Sequence, residues 1–293
     1  MQIHTSIAAM RQATKTAHRH GQTIALVPTM GAIHQGHLSL VRAARRESDV
    51  VTASIFVNPL QFAPHEDLAR YPRPFEDDVS LLREAGVDQL FAPTAEEMYP
   101  AGATTFVEVE GLSSRLDGVS RPGHLRGVAT VVLKLFCIVQ PDTAFFGQKD
   151  AAQLAVVRAM VRSLDVPVRI VGCPIVRDPD GLALSSRNRF LSPEERRAAL
   201  TIPDVLARAQ TLADPTPANL RAFLHAAIGQ APGLRLDYVA VVDPDTLLPA
   251  EDLSRPTLLA VAAWVGNTRL IDNAIFEPAV LQQAYEPELA HHV

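Results

Sequence analysis

Apolar residues in the first 176 positions alternate between two spacings. Thr23–Thr29 and Val50–Asn58 are short apolar runs typical of buried strands. Between them, Leu38, Val41 and Ala44 recur at helical spacing. A strand, a helix and a second buried strand in this order predict a βαβ unit with parallel strands and a right-handed crossover.

The same alternation continues along the chain. It predicts helices over residues 75–86, 127–140 and 151–164, and strands over residues 88–93, 143–149 and 166–176. We therefore expect residues 1–176 to form a doubly wound, Rossmann-like α/β domain that binds nucleotide and substrate.

The pattern changes after residue 176. A polar segment contains a turn at Pro179–Gly181, and Ser192 followed by Pro193 is typical of a helix N-terminus. A helical stretch is expected to about Gln230, followed by three strand-like runs over residues 236–243, 257–266 and 269–276. Residues 177–293 are therefore predicted to form a smaller α+β domain.

Composition narrows the class of protein. The 293 residues are 47% hydrophobic, and the net charge is −5, which disfavours nucleic-acid binding. No apolar run is long enough for a membrane span, and the N-terminal residues lack the pattern of a secretion signal, so a cytoplasmic location is expected. Cys137 and Cys173, both in apolar segments, are expected to be buried free thiols.

Two histidines lie where the first strand gives way to a helix. In an open parallel sheet, ligands bind at the carboxyl ends of the strands, and a helix N-terminus favours an anion. His34 and His37 in "TMGAIHQGH" could therefore donate hydrogen bonds to phosphate. Two alternatives remain at this point: a zinc site, although the spacing is i, i+3 without a nearby cysteine, and a purely structural pair that satisfies local backbone groups.

Four stretches together indicate a family. The H-x-G-H motif alone resembles the nucleotidyltransferase superfamily. With "SIFVNPLQF", "AFFGQKDAAQ" and "PIVRDPDGLALSSRN", the chain resembles the pantothenate synthetase family, and the resemblance extends from Leu26 to Asn273. It implies a ligase that joins pantoate to β-alanine through a pantoyl adenylate, releasing AMP and pyrophosphate. It also implies Mg²⁺ accompanying ATP, without a protein ligand that we can name, and a homodimer.

The resemblance carries over to individual positions. His37 would act as the general acid or hydrogen-bond donor to the transferring phosphate. The residues that would bind ATP are Met30, Gly31, Ala32, Ile33, His34, Gln35, Gly36, His37, Gly147, Gln148, Lys149, Asp150, Val176, Leu184, Ser185, Ser186 and Arg187. Lys149 would neutralise phosphate charge, although lysine is more often a solvated surface residue.

Three side-chain amides are expected to bind the acid substrate. Gln61 and Gln153, with Asn58, would hold pantoate or β-alanine, because an amide offers both a donor and an acceptor. The segment from Phe62 to Arg73 would cover the site and exclude water from the reactive adenylate.

Two rival functions share some of these features. A nucleotidyltransferase that stops at a nucleotidyl product would carry the histidine motif without the pair of glutamines. A nucleotide-sensing or RNA-binding module would show no turnover. Its RNA-binding form is disfavoured by the acidic pI near 6.1.

Overall fold

The computed structural model describes residues 1–62, 68–69 and 71–278. The chain divides into two compact units, Met1–Arg189 and Phe190–Val293. The sequence pattern changes earlier, after residue 176. Residues 177–189 belong to the first unit because Arg177 pairs with Ala183 and the Leu184 N–H donates to the Val176 carbonyl.

A six-stranded parallel sheet forms the centre of the first unit. Its strands are β1 (Gln2–His4), β2 (Ile24–Thr29), β3 (Val50–Ile55), β4 (Gln89–Phe91), β5 (Thr143–Gly147) and β6 (Arg169–Cys173). They lie in the order β1-β4-β3-β2-β5-β6. The two central strands are almost entirely buried, as their continuous apolar sequences predict. The expected doubly wound α/β fold is confirmed.

The chain reverses direction across this sheet. From β2 it passes to β3 and β4 on one side, and then returns to β5 and β6 on the other. The carboxyl ends of β2 and β5 therefore form a topological switch point, where loops diverge and leave room for a ligand.

Seven α-helices connect or cover the strands in the described part of the first unit. They are α1 (Ile7–Arg19), α2 (Gln35–Glu47), α3 (Phe75–Glu84), α4 (Ala95–Met98), α5 (Asp117–Ser120), α6 (His124–Val139) and α7 (Ala151–Ser163). The apolar pattern predicts neither β1 nor α1. Ser6 caps α1 by accepting from the Ala9 N–H, and β1 extends the sheet beside β4. No helix among the described residues is long and apolar enough to cross a membrane.

Up to Pro278, the second unit has three helices and a three-stranded antiparallel sheet. The helices are α8 (Pro193–Ala199), α9 (Thr201–Ala209) and α10 (Pro217–Gly229), and the strands are β7 (Leu234–Val242), β8 (Thr257–Val265) and β9 (Thr268–Phe276). Ser192 and Glu195 form the capping box that starts α8, as the sequence indicates. The single helical stretch expected to Gln230 is instead broken into three helices.

Two details differ from the sequence expectations in the first unit. The strand expected to reach Asn58 ends at Ile55, and Asn58 instead caps a 3-10 turn over Pro59–Gln61. Cys173 is buried as expected, but Cys137 is exposed on α6. A helix with apolar residues on most of its faces gives no sequence signal for which face meets solvent.

Helix α6 packs directly on the backbone of that 3-10 turn. A Cβ built on Gly127 would lie 2.2 Å from the Leu60 carbonyl oxygen and 2.7 Å from the Gln61 nitrogen. Such distances are far below van der Waals contact, and both neighbouring atoms are backbone, which cannot rotate away. The approach of α6 to the turn therefore requires glycine at position 127.

This contact predicts a stability difference between two helical glycines. Gly127→Ala should lower the free energy of unfolding by roughly 1–3 kcal/mol, because the added methyl overpacks a fixed backbone. Gly229→Ala is the matched control, since Gly229 has no atom within 4 Å of its ideal Cβ. That substitution should be neutral, or stabilising by about 0.4–1 kcal/mol. Urea unfolding measures both, and equal effects would show that the close approach imposes no constraint.

Candidate active site

A cavity opens at the switch point, above the carboxyl ends of β2, β3 and β5. Apolar residues line the cavity together with polar residues from five connections between the strands and helices. The lining residues are Pro28, Thr29, Met30, His34, Gly36, His37, Leu40, Phe56, Asn58, Gln61, Phe62, Tyr71, Arg121, His124, Val128, Val131, Val132, Leu135, Phe146, Gly147, Lys149, Asp150, Gln153, Pro174, Ile175, Val176, Leu184, Ser185, Ser186 and Arg187.

Most of the sequence-predicted site residues meet in this wall. Five do not line it: Gly31, Ala32, Ile33, Gln35 and Gln148. Ile33 is buried and Gln35 is exposed, whereas the Gln148 N–H donates to the Cys173 carbonyl. These five residues flank the lining positions along the chain.

His34 and His37 cap the N-terminus of α2 reciprocally. Nδ1 of His34 accepts from the Gly36 N–H at 3.1 Å, and Nδ1 of His37 accepts from the His34 N–H at 3.3 Å. The two rings stack with centroids 4.1 Å apart. A Cβ on Gly36 would lie 2.8 Å from the His34 ring, so this position must be glycine for the ring to fold over it.

The geometry and the surroundings keep both imidazoles neutral. Because each Nδ1 accepts a backbone hydrogen bond, each ring carries its proton on Nε2. Desolvation is the main cause that lowers the pKa of His37, to about 3, and the neighbouring His34 is the second cause. Desolvation and the Lys149 ammonium also lower the pKa of His34. The pair can therefore donate through Nε2 at neutral pH, but it carries no charge.

A buried carboxylate holds the turn before the histidines. Asp78, on α3, is 1% exposed. Its Oδ2 accepts from the Ala32 N–H at 2.8 Å, and its Oδ1 accepts from the Ile33 N–H at 2.7 Å. Gly31 and Ala32 both have positive φ, +85° and +51°. The two hydrogen bonds stabilise a left-handed backbone that leads directly into His34.

Charged groups gather on the side of the cavity formed after β5. Desolvation works to raise the pKa of Asp150, but the charges of Lys149 and Arg187 outweigh it, and the net pKa lies below its usual value. The carboxylate is therefore ionised beside an ammonium and a guanidinium. This side of the cavity offers an anionic ligand two cations whose charge does not depend on the histidines.

Four polar lining residues had no individual role predicted from the sequence: Thr29, Tyr71, Arg121 and His124, of which Tyr71 belongs to the segment expected to cover the site. Arg121 Nη1 donates to Nε2 of His124 at 3.0 Å, so His124 carries its proton on Nδ1 and donates to the Gln61 carbonyl at 2.9 Å. A glycine, Gly123, caps α6 just before His124, and a polar residue at a helix N-terminus was the available signal. Tyr71 hydrogen-bonds Ser186, and no periodic pattern surrounds it.

Part of the expected cover is outside the described residues. The segment was predicted over Phe62–Arg73, and positions 63–67 and 70 are not described. Phe62 precedes the first of these gaps and Tyr71 follows the second, and both line the cavity with their rings 6.0 Å apart. Among the described residues, no group of three or more His, Cys, Asp or Glu side chains could hold a metal ion.

Comparison with known proteins gives a consistent result. The family model for pantoate-beta-alanine ligase matches residues 2–275. A pantothenate synthetase from Koribacter versatilis is 54% identical, with 95% of this chain and 97% of the relative covered. One from Moorella thermoacetica is also 54% identical, over 94% of this chain and 99% of the relative.

Solved structures agree with the fold and the family. A crystal structure of pantothenate synthetase from Thermus thermophilus has a TM-score of 0.89 and 48% identity, and covers 95% of this chain and 100% of its own. That of pantoate-beta-alanine ligase from Francisella tularensis, complexed with beta-gamma ATP and beta-alanine, has a TM-score of 0.78 and 33% identity, with 95% and 99% covered. The cavity at the switch point thus occurs in a chain that belongs to the pantoate-beta-alanine ligase family.

Proposed function

We propose that this chain joins pantoate to β-alanine at the expense of ATP. A pantoate carboxylate oxygen attacks the α-phosphorus of ATP, the bond to the β-phosphate oxygen breaks, and pyrophosphate leaves. The β-alanine nitrogen then attacks the acyl carbon of pantoyl adenylate, the carbon–oxygen bond to AMP breaks, and the amine loses a proton as pantothenate forms. The main observation in support is a single cavity that combines neutral imidazole donors, cations and two glutamine amides.

The imidazoles and the cations would have different roles in phosphate transfer. His37 and His34 would donate through Nε2 to oxygens of the transferring phosphate, as preorganised hydrogen-bond donors. The low pKa of His37 favours the donor role over the general-acid role, since an acid must carry the proton that it delivers. Lys149 and Arg187 would neutralise the phosphate charge that develops as pyrophosphate leaves.

The remaining lining residues would bind the rest of ATP and the acid. Met30 and Gly36 would contact ATP beside the two histidines, and Gly147, Asp150, Val176, Leu184, Ser185 and Ser186 would complete its site. Gln61 and Gln153 would hold pantoate. The neighbouring positions Gly31, Ala32, Ile33, Gln35 and Gln148 would act through the backbone that carries the lining residues.

Magnesium fits this site as an ion carried by the triphosphate. Mg²⁺ keeps several waters and binds few protein oxygens when phosphates are available. Asp150 is the one carboxylate among the described lining residues, and it could supply a single oxygen or hold a magnesium-bound water. When bound, the ion would offset triphosphate charge.

Three further assignments come from the family resemblance and the composition. We propose a homodimer, a cytoplasmic location and a cover over the site formed by the segment from Phe62 to Arg73. We also propose that nucleotide and pantoate bind to the first unit, Met1–Arg189, which contains all the lining residues of the cavity.

The order of the two half-reactions is testable. An unactivated carboxylate is a poor electrophile, so adenylation must precede amine attack. The chain with ATP, Mg²⁺ and pantoate alone should exchange labelled pyrophosphate into ATP, and omission of pantoate should abolish exchange even with β-alanine present. Gln153→Ala should raise the pantoate concentration needed for half-maximal exchange. Release of ADP and phosphate would instead indicate an acyl phosphate route.

The phosphate contact of Lys149 is tested by two substitutions. Lys149→Ala should reduce kcat/KM for adenylation roughly 10²- to 10³-fold, as expected when one preorganised electrostatic contact is lost. Lys149→Arg should recover only part of this loss, because the guanidinium fork has a different geometry. Lys15→Ala, an exposed lysine on α1, is the matched control and should leave the rate unchanged. Full recovery by arginine would contradict a close-fitting contact.

The neutral state of His37 predicts a pH dependence of stability. Its folded pKa of about 3 lies below the usual 6.5, so the unfolded chain binds a proton that the folded chain does not between these values. Stability should therefore fall as pH falls below 6.5. Between about pH 7.5 and about pH 5.0 the contribution of His37 is up to about 2 kcal/mol.

The comparison variant is His37→Asn, whose amide oxygen can still accept from the His34 N–H. It should lose less stability than the wild type over the same interval, measured by urea unfolding at both pH values. Identical losses in the two proteins would show that His37 titrates normally.

A further inference from the structure

Asn58 makes the four hydrogen bonds that a side-chain amide can make. Its Oδ1 accepts from the Leu60 N–H at 3.3 Å and from the Tyr99 hydroxyl at 2.9 Å. Its Nδ2 donates to the Gly127 carbonyl at 3.0 Å and to Oε1 of Gln61 at 3.1 Å. The residue is 1% exposed. Although Asn58 lies in the cavity wall, its polar atoms are engaged within the protein.

Two backbone groups determine which way this amide points. The Leu60 N–H can only donate, and the Gly127 carbonyl can only accept. A rotated Asn58 amide would place donor against donor and acceptor against acceptor, a costly arrangement in a buried site. The Tyr99 hydroxyl must therefore donate to Asn58, and Gln61 must accept from it.

The orientation of Asn58 also determines which end of the Gln61 amide is available in the cavity. Its Oε1 faces Asn58, so the amide nitrogen is the end that remains for a ligand. Nε2 lies 3.0 Å from the Met30 sulfur, and both residues line the cavity. A thioether is a weak acceptor, so an incoming oxygen would readily replace it.

We propose that Tyr99 and Asn58 are positioning residues, which hold Gln61 so that it presents N–H donors to the acid substrate. The group of the substrate that meets Gln61 must then be an acceptor, a carboxylate or hydroxyl oxygen of a hydroxy acid. This assignment rests on the proposed function. It replaces the sequence-based expectations that Asn58 touches substrate and that Gln61 offers both donor and acceptor.

The surroundings of Tyr99 keep its hydroxyl protonated, so that it can always donate a hydrogen bond. Burial raises the pKa of Tyr99, so its hydroxyl keeps its proton across the working range. Its ring packs against Phe56, with centroids 6.0 Å apart, and the Lys134 ammonium lies 5.6 Å from the ring centroid. Tyr99 immediately follows α4 and does not line the cavity, so the hydrogen bonds that connect its hydroxyl to the cavity run through Asn58 and Gln61.

Pantoate-dependent exchange of pyrophosphate into ATP tests the chain of hydrogen bonds. Tyr99→Phe removes one hydroxyl and should raise the pantoate concentration for half-maximal exchange roughly two- to tenfold, the effect of one net hydrogen bond. The ATP concentration for half-maximal exchange should not change. In a Gln61→Ala background, Tyr99→Phe should add no further effect, because its route to the substrate is gone.

A second substitution tests the donor character of Gln61 independently. Gln61→Glu keeps an acceptor for Asn58 but replaces the donor that faces the cavity. It should raise the pantoate requirement more than Gln61→Ala does. If Gln61→Glu retained the wild-type pantoate requirement, the proposed polarity would be wrong.

The matched control is Thr14→Val, which removes a buried hydroxyl that donates to the Val139 carbonyl at 3.0 Å, outside the cavity wall. It should lower stability, as Tyr99→Phe does, without changing the pantoate dependence. The proposal is overturned if Tyr99→Phe changes pantoate and ATP dependence equally, or if its effect persists without Gln61. Absence of exchange in the wild type would instead overturn the proposed function, and this assignment with it.

Discussion

The placement of both histidines depends on one buried carboxylate from another part of the chain. Asp78 lies on α3, yet its two oxygens hold the backbone between β2 and α2. A residue other than glycine at positive φ costs about 1–2 kcal/mol, and Ala32 is such a residue. Asp78 offsets this cost and sets the direction in which the chain enters His34. The reciprocal cap, the close approach at Gly36 and the cavity wall all follow from that entry.

Much of the fold could be predicted from periodicity, because buried strands and amphipathic helices have distinct apolar spacings. The βαβ order and the three strands of the second unit were accessible in this way, and Ser192 followed by Pro193 marked the start of α8. The N-terminal strand was not, since the three exposed or half-exposed residues Gln2–His4 carry no pattern. The site was predictable wherever a motif marks it, as at His34 and Lys149. Asp78 and Tyr99 make contacts distant in sequence, which local spacing cannot reveal, whereas the helix N-terminus at Gly123 was a local signal for His124.

In the cavity, one set of residues supplies positive charge and another supplies neutral hydrogen-bond donors. The histidines, which would supply positive charge if protonated, are kept neutral by desolvation and by their own backbone contacts. Lys149 and Arg187 supply the charge and also keep Asp150 ionised. The histidine pair can therefore donate hydrogen bonds at neutral pH without adding to the positive charge that Lys149 and Arg187 supply.

The strand order β3-β2-β5 sets the spacing between three groups of residues that line the cavity. Gln61 follows β3, the histidines follow β2 and Lys149 follows β5, so three adjacent strands deliver the three parts of the cavity. Neighbouring strands are about 4.8 Å apart, so the carboxyl ends of β3 and β5 are separated by about 10 Å, a distance set by backbone hydrogen bonds. If Gln61 holds the acid, as proposed, the loop after β3 could change its contacts with the acid while the strands kept the histidines and Lys149 in place. A different acid could then be accepted without rebuilding the side of the cavity that would bind the nucleotide.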